Sequence, residues 1–145
     1  MIVLYPKYGV NNLPFGSSIS QMESIFGDEE KVVFYEDGSC SYNYWDLGLS
    51  LFFENDRLDG VVCDNVDCVL LGQHPIGKDL DALGEVYNVF DFCMDDFRVE
   101  EENGDIVEMC DSDSIDCNFG LRNGVVEQVT IGVSYDDNLD PIFPV

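Results

Sequence analysis

Acidic side chains are the residues of this chain most able to do chemistry, and they concentrate in one stretch. Between Asp91 and Asp116 the sequence has 11 acids and one cation, Arg98. The acids that we predict to bind a partner are Asp95, Asp96, Glu100, Glu101, Glu102, Asp105, Glu108, Asp111, Asp113 and Asp116. Like charges this close repel by on the order of a few tenths of a kcal/mol at low salt. A fold that tolerates this repulsion gains elsewhere, most simply from a basic partner; the alternative is that the acids serve solubility or adaptation to high salt.

Three aromatic residues are the second set of candidate binding residues. Tyr42, Tyr44 and Trp45 alternate only in part along the chain, so at least one ring is expected to face outward. Tyrosine and tryptophan are common anchors of protein interfaces. The alternative is that the rings lie in the core with their polar ends at the surface.

The sequence offers little for catalysis or metal binding. His74 is the only histidine and lies in a Gly-Gln-His-Pro turn. The sequence has no Gly-x-Ser-x-Gly or comparable motif that would supply a nucleophilic Ser or Cys. One histidine and six dispersed cysteines do not make a zinc site. The alternating acids of Asp111–Asp116 could suggest calcium, but they lack the glycine and the final glutamate of a helix-loop-helix calcium site. We therefore predict neither an enzyme nor a bound cofactor or metal.

The overall charge excludes several classes of partner. The 145 residues include 30 Asp and Glu against 6 Lys and Arg, which gives a net charge of −24. Nucleic acids and anionic membranes bind clusters of cations, and the six basic residues of this chain are scattered. Hydrophobic residues make up 46% and aromatics 12%, which is typical of a folded domain and not of an acidic disordered chain.

The cysteines and the N-terminus bear on cellular location. The six cysteines form no Cys-x-x-Cys pair, and several lie within apolar runs. The first ten residues lack the charged start, long apolar run and cleavage site of a signal peptide. These features predict reduced core thiols in a cytoplasmic protein. A disulfide framework stays open as the alternative.

An internal repeat organises the chain. The segment 14–26 aligns with 75–87, 61 residues later, with Pro, Gly and five apolar positions in common. Four of these positions are spaced 3, 3 and 1, which predicts a short amphipathic helix in each copy. Ser18 and Asp79 precede the apolar positions, where an N-cap residue accepts a backbone N–H.

Strand-like runs and hairpin turns follow each helix. Asn55-Asp56 aligns with Asn123-Gly124 at a separation of 68 residues, so the second copy has about seven extra residues in its acidic stretch. We predict an α+β fold of two tandem repeats, each a short helical segment packed on an antiparallel sheet of about four strands. The repeats span 13–63 and 74–133 within a single domain, and 135–145 form an irregular surface tail.

The order of these elements resembles a known family. Phe26-Gly27, Tyr42-x-Tyr44, the Gly-Leu-x-Leu-x-Phe run of 48–53 and Asn55-Asp56-x-Leu58 are similar to the tandem repeat of β-lactamase-inhibitor-like proteins, a unit also used by SmpA-type lipoproteins. The resemblance implies binding of proteins through the sheet face and no catalytic residues. The inhibitors are secreted and disulfide-bonded, and in this respect the chain differs. Small acidic proteins of this kind also occur as immunity proteins beside bacterial toxins.

The leading functional hypothesis is an acidic protein inhibitor. We predict a cytoplasmic immunity protein that binds a basic bacterial toxin of the nuclease type and occludes its cationic site. The first alternative is a nucleic-acid mimic that blocks a DNA-binding protein, because carboxylates about 6.6 Å apart along a strand resemble backbone phosphates. The second alternative is a secreted inhibitor of another enzyme.

Overall fold

The structure, a computed structural model, describes residues 1–144, and these are mostly β. In chain order the elements are β1 (Val3–Tyr5), β2 (Gly9–Val10), β3 (Leu13–Pro14), α1 (Ile19–Phe26), β4 (Lys31–Phe34), β5 (Cys40–Tyr44), a 3-10 turn (Trp45–Leu47), β6 (Leu49–Glu54), β7 (Arg57–Cys63), β8 (Val69–Leu70), α2 (Leu80–Tyr87), β9 (Cys93–Glu100), β10 (Ile106–Ser112), β11 (Cys117–Arg122), β12 (Val125–Gly132), β13 (Ser134–Tyr135) and β14 (Pro141–Ile142).

The main feature is one antiparallel sheet of eight strands in the order β4-β5-β6-β7-β12-β11-β10-β9. Its centre is the pairing of β7 with β12, in which Cys63 lies opposite Val129 and Val61 opposite Ile131. All four of these side chains are buried. Their inward positions alternate with outward ones along each strand, as the pleat requires.

The predicted fold class was wrong. The two groups of four strands are not separate helix-on-sheet units in tandem, because β7 and β12 join them into a single sheet. An unpaired edge at β7 or β12 would leave backbone N–H and C=O groups without partners beside a hydrophobic core. Pairing of the two strands satisfies these groups and makes one core that both halves share.

One face of the sheet is covered by both helices and by a small second sheet. Met22 of α1 and Leu83 of α2 are fully buried against it. Ser18 and Asp79 cap the two helices, accepting from the backbone N–H of Gln21 and Ala82. The second sheet, β3-β2-β1-β8, contains a parallel pair in which Val3 lies opposite Val69. The sequence did not indicate this sheet.

The opposite face of the eight-stranded sheet, which we call the outer face, is not covered by either helix. The strand register places on it, besides a few charged residues near strand ends, the following thirteen uncharged residues of the six inner strands: Ser41, Asn43, Ser50, Phe52, Gly60, Val62, Val107, Met109, Asn118, Gly120, Gln128, Thr130 and Gly132. Most of them are half-buried, as expected for the middle of an open sheet face.

The predicted turn at Asn123-Gly124 is a two-residue hairpin loop. Both residues have positive φ, 52° and 80°. This conformation matches the right-handed twist of the flanking strands, and Asn and Gly adopt it at the lowest cost. The turn therefore fixes the register between β11 and β12.

Some acids that were expected to share a strand face with their neighbours, Asp113 with Asp111 and Glu102 with Glu100, lie instead in turns. Strand β10 ends at Ser112, so Asp113 and Ile115 lie in a turn and do not share a strand face with Asp111. Strand β9 ends at Glu100, so Glu102 lies in the following turn. The sequence could not place these strand ends, because a run of acidic residues has the same pattern in an exposed strand as in a turn.

The C-terminal segment is more regular than predicted. Strands β13 and β14 pair as a short hairpin, with Ser134 opposite Ile142. Phe143 packs under the Arg57 guanidinium at 5.1 Å from the ring centroid. Val145 lies outside the described residues.

Within residues 1–144, no helix has the length and apolar character to cross a membrane, since both α-helices have eight residues.

Two adjacent valines of β7 test which face is buried. Val61 is fully buried, whereas Val62 lies on the outer face. We expect Val61→Ala to lower the free energy of unfolding by about 2–3 kcal/mol through lost burial and a residual cavity. The matched control Val62→Ala is expected to cost less than about 1 kcal/mol. Urea denaturation measures both, and equal losses would contradict the assignment of faces.

Candidate functional site

The edge strand β9 carries the most exposed group of acids. All eight of its residues are exposed. We call residues 93–102 the acidic edge; its acids are Asp95, Asp96, Glu100, Glu101 and Glu102. Strand β10 pairs Glu108 with Arg98 and Cys110 with Met94, so residues 95–97 lie opposite Met109 alone and bulge from the sheet. The bulge presents Asp95 and Asp96 away from the regular ladder.

Exposed apolar side chains lie among these acids. Phe90, just before the strand, is 90% exposed. Met94, Phe97 and Val99 of β9 are also exposed, at 41–48%. Sequence reasoning missed this group, because apolar residues in a strand are ordinarily assigned to the core. The acidic edge is therefore a mixed acidic and apolar surface.

Arg122 holds one end of the acidic stretch together. Its guanidinium lies 2.9 Å from Glu101, 3.1 Å from Asp105 and 2.7 Å from Glu127. Asp105 also accepts a hydrogen bond from the Asn123 amide, and this bond, followed by that from Arg122, lowers the pKa of the Asp105 carboxyl. Three acids around one cation leave a local charge of −2, so this cluster stays acidic.

Another group of predicted acids lies at the opposite end of β10. Asp111, Asp113 and Asp116 are exposed there, and Asp116 pairs with Lys7 at 3.4 Å. Among the described residues, no group of three or more His, Cys, Asp or Glu side chains is arranged to hold a metal ion. Glu108 lies between the two groups of acids and pairs with Arg98 at 3.9 Å.

The three predicted aromatic residues do not lie beside the acidic edge. Tyr42 packs edge-on against Phe53, and Tyr44 is buried with its hydroxyl donating to the Gly27 carbonyl at 2.8 Å. Burial raises the pKa of Tyr44 to about 12. Their strand, β5, lies six strand positions from β9, or about 29 Å at about 4.8 Å per strand. The two tyrosines and the acidic edge therefore do not form one composite site.

Trp45 differs from the two tyrosines because it is 61% exposed. It starts the 3-10 turn, which ends at Gly48 in the left-handed conformation with φ 62°. A Cβ at Gly48 would lie 2.5 Å from an Asp64 carboxylate oxygen, so glycine is required there. Trp45, Ser50, Val62 and Asp64 line a groove of about 310 Å³ at the end of the outer face.

Asp91 has a structural role that the sequence did not indicate. Its carboxylate accepts hydrogen bonds from the Ser112 hydroxyl at 2.6 Å, and from the Ser114 backbone and hydroxyl at 2.9 and 2.7 Å. These bonds, the one from Ser112 first, lower the pKa of Asp91. Asp91 thus fastens the segment before β9 to the turn after β10.

The histidine and the cysteines take no part in a recognisable catalytic arrangement among residues 1–144. The His74 ring lies 3.2 Å from the Cys68 carbonyl in the turn before α2. All six cysteines are free thiols; five are buried and Cys93 is exposed. The Cys63 and Cys68 thiols share a hydrogen bond, which lowers the pKa of Cys63 and raises that of Cys68.

A second concavity lies between the C-terminal hairpin and the β6–β7 turn. Its lining includes Glu54, Arg57, Asp59, Tyr135 and Phe143. Burial, followed by repulsion from Glu54, raises the pKa of Asp59 to about 6. An acid with this pKa is ionised at neutral pH at a cost to the folded state.

Comparison with known proteins gives a fold but no family. No protein-family model matches the chain, and no curated protein matches it. Two solved structures match the chain. An extracellular protein containing an SCP domain from Bacillus anthracis str. Ames matches 90% of this chain at 8% identity, with a TM-score of 0.52. A cysteine-rich secretory protein from Staphylococcus aureus matches 81% at 16% identity, with a TM-score of 0.48. This chain spans about half the length of the first and 42% of the second.

These matches correct three predictions. The resemblance to β-lactamase-inhibitor-like and SmpA-type proteins was wrong, because the fold is similar to that of the SCP-domain protein from Bacillus anthracis. The identification as a tandem-repeat immunity protein was wrong for the same reason. The prediction of a cytoplasmic protein is withdrawn, since the first of these neighbours is described as extracellular. At 8% identity the likeness concerns the fold alone.

A second prediction concerns the hydrogen bonds by which Asp91, just before β9, holds the turn that follows β10. We expect Asp91→Asn to lower the melting temperature at pH 7, because the carboxylate is the better acceptor. A lowered pKa stabilises the fold above the ordinary carboxyl range, and this contribution is lost as the pH falls through the lowered value. The difference from wild type should therefore shrink towards pH 3. Asp113→Asn is the control; an equal effect at both positions would contradict the role of Asp91.

Asp59 should have the opposite dependence on pH. Its raised pKa means that the folded chain binds more protons than the unfolded chain between about pH 4 and 6, so stability falls as the pH rises through this window. We expect Asp59→Asn to raise the melting temperature at pH 8 and to change it little at pH 4. Asp67→Asn removes the same charge at an exposed site; if it matched Asp59→Asn at both pH values, general charge repulsion would be the cause.

Proposed function

We propose that this chain is an acidic binding module that recognises a basic protein and covers that partner's cationic site. The observation that carries the proposal is the acidic edge, where exposed acids and exposed apolar side chains lie together on one edge strand. A strand used only for solubility would not need Met94, Phe97 and Val99 in water. Apolar anchors surrounded by charge are typical of protein interfaces.

The charge of the chain supports a basic partner. A surface of net charge −24 attracts a cationic protein over distances of about a Debye length, and such steering raises association rates by about 10–10³-fold at low salt. Arg98 and Arg122 each pair with acids of this chain. The cations near the acidic edge are therefore already paired, one of them with Glu101 of the edge itself. The other acids of the edge take part in none of the ion pairs of residues 1–144 and stay available to a partner.

A nucleic-acid mimic is the alternative hypothesis from the sequence, and competition separates the two. A mimic displaces DNA from several unrelated DNA-binding proteins. A binding module of the kind proposed here binds one cognate protein tightly, whether or not that protein also binds DNA. Displacement of DNA from three unrelated proteins at similar concentrations would favour the mimic.

Neutralising the acidic edge tests the proposal. The edge variant carries Asp95→Asn, Asp96→Asn, Glu100→Gln and Glu102→Gln. The matched control, which removes four exposed acids elsewhere, carries Asp28→Asn, Glu36→Gln, Asp67→Asn and Asp137→Asn. Immobilised wild type is used to recover a basic protein from source cells and their medium. Stopped-flow mixing with that purified protein then gives the association rate constant between 50 and 300 mM NaCl.

We expect the rate constant for wild type to fall steeply with salt. The edge variant should associate several-fold more slowly than the control at 50 mM NaCl, although both have the same net charge. Recovery of no basic protein, or equal rates for the two variants, would contradict the proposal.

A further inference from the structure

The middle of the outer face carries no charged side chain. The chain has 30 acids and 6 cations among 145 residues, yet none of the thirteen side chains of the outer face is charged. Charged residues that point the same way lie mostly at or next to strand ends, at Glu54, Arg57, Asp111 and Arg122. The two others lie at bulges near these ends: Glu127, which pairs with Arg122 at 2.7 Å, and Asp59, which lines a concavity with Glu54 and Arg57. Open faces of antiparallel sheets normally carry polar and charged residues towards water. The charge of this protein therefore surrounds the outer face and leaves its centre free.

Part of the outer face is apolar. Phe52 and Val62 lie on adjacent strands in its middle, and Val107 and Met109 lie on β10. Trp45, the single tryptophan, stands exposed at the end of the same face in the groove with Ser50 and Val62. Tryptophan is the residue most enriched among the strong contributors to interface affinity.

The polar side chains on the β5 and β6 side of the face already bond to one another. The Ser50 hydroxyl donates to Asn43 at 2.7 Å, and the Asn43 amide donates to the Ser41 hydroxyl at 3.2 Å. The Tyr35 hydroxyl lies 3.1 Å from the same Ser41 hydroxyl. Polar groups with internal partners lose less when water is removed from above them. Covering this part of the face costs little desolvation energy.

The outer face has the size of the centre of a protein interface. Its six strands at about 4.8 Å span about 29 Å, and about six residues at 3.3 Å give a length of about 20 Å. The product is near 580 Å², and the acidic residues around it bring the contact area towards the roughly 800 Å² that each partner buries in a standard protein–protein interface.

We propose that the outer face is the centre of the interface with the basic protein, and that the acidic residues around it are the rim. This inference rests on the proposed function. It fixes the chemistry of the partner as an uncharged, partly apolar patch ringed by Lys and Arg. The ring would meet Asp46 and Asp64 beside Trp45, Asp111 at the other end of the face, and the acids around Arg122.

Charge complementarity favours this partner over a second copy of the chain. Two copies meeting through their outer faces would bring two acidic rims together, each on a chain of −24. Like charges at a rim cost binding energy and slow association. A cationic ring gains from the same contacts.

Site-specific crosslinking tests the assignment. A photoreactive p-benzoylphenylalanine replaces Phe52 on the outer face, Phe97 on the acidic edge, or Ser20 on the exposed side of α1 as the control. Each labelled chain is irradiated with source-cell extract and medium, and the crosslinked protein is identified by mass spectrometry and purified. Its affinity is then measured for wild type, Thr130→Arg on the outer face, and the charge-matched Ser20→Arg. Trp45→Ala, which removes an exposed ring, covers the case that Thr130→Arg does not fold.

We expect one basic protein to crosslink at Phe52 and not at Ser20. Thr130→Arg should weaken its binding by at least about 30-fold and Trp45→Ala by at least about 10-fold, whereas Ser20→Arg should weaken it by no more than about 3-fold. A basic protein crosslinked at Phe97 alone, with equal effects of the two arginine variants, would overturn the inference and leave the proposed function standing. A second copy of the chain crosslinked at Phe52 would also overturn it. If no basic protein crosslinks at any position, the proposed function fails as well.

Discussion

The pairing of β7 with β12 is the interaction on which the rest of the structure depends. Four ladder positions, from Cys63 opposite Val129 to Gly60 opposite Gly132, join strands that are more than sixty residues apart in the chain. Without the pairing of β7 with β12, each group of four strands would have an unpaired edge strand beside its buried residues. With it, one core extends under both helices and the small N-terminal sheet. The same pairing makes the outward surfaces of the two halves continuous and so produces the broad outer face.

The distribution of charge follows from this arrangement. A chain with five acids for each cation must place most of them in water, and helices, turns, edges and strand ends take them. The inner strands take few of them, because one side of these strands is buried and the charged residues of the other side lie mostly near strand ends. Acid–acid repulsion is thereby spread over the perimeter of the sheet, where solvent screens it best. Arg122 and Lys7 relieve it locally at two turns.

Local features of this fold could be predicted from the sequence, and non-local features could not. The helix starts at Ser18 and Asp79 were predictable because an N-cap acts on residues only three positions away. The Asn123-Gly124 turn was predictable because its backbone conformation selects those two residues. The pairing of β7 with β12 joins strands that are distant in the sequence, and the local pattern of apolar residues does not encode it. Two repeat units were therefore expected where the structure has one sheet. One outward ring among Tyr42, Tyr44 and Trp45 was expected, but not which one, and the exposure of the apolar β9 side chains was missed. Position in the sheet, and not residue type, decides both.

The bulge in β9 has a consequence for solubility. A flat edge strand offers free backbone N–H and C=O groups to any other strand, and this is the usual route to aggregation. Residues 95–97 interrupt the ladder in the middle of that edge and place Asp95 and Asp96 where a second strand would have to lie. At the other edge, β4 has only four residues between Glu30 and Glu36. Short length at one side and a charged kink at the other keep an open sheet from growing by addition of its own copies.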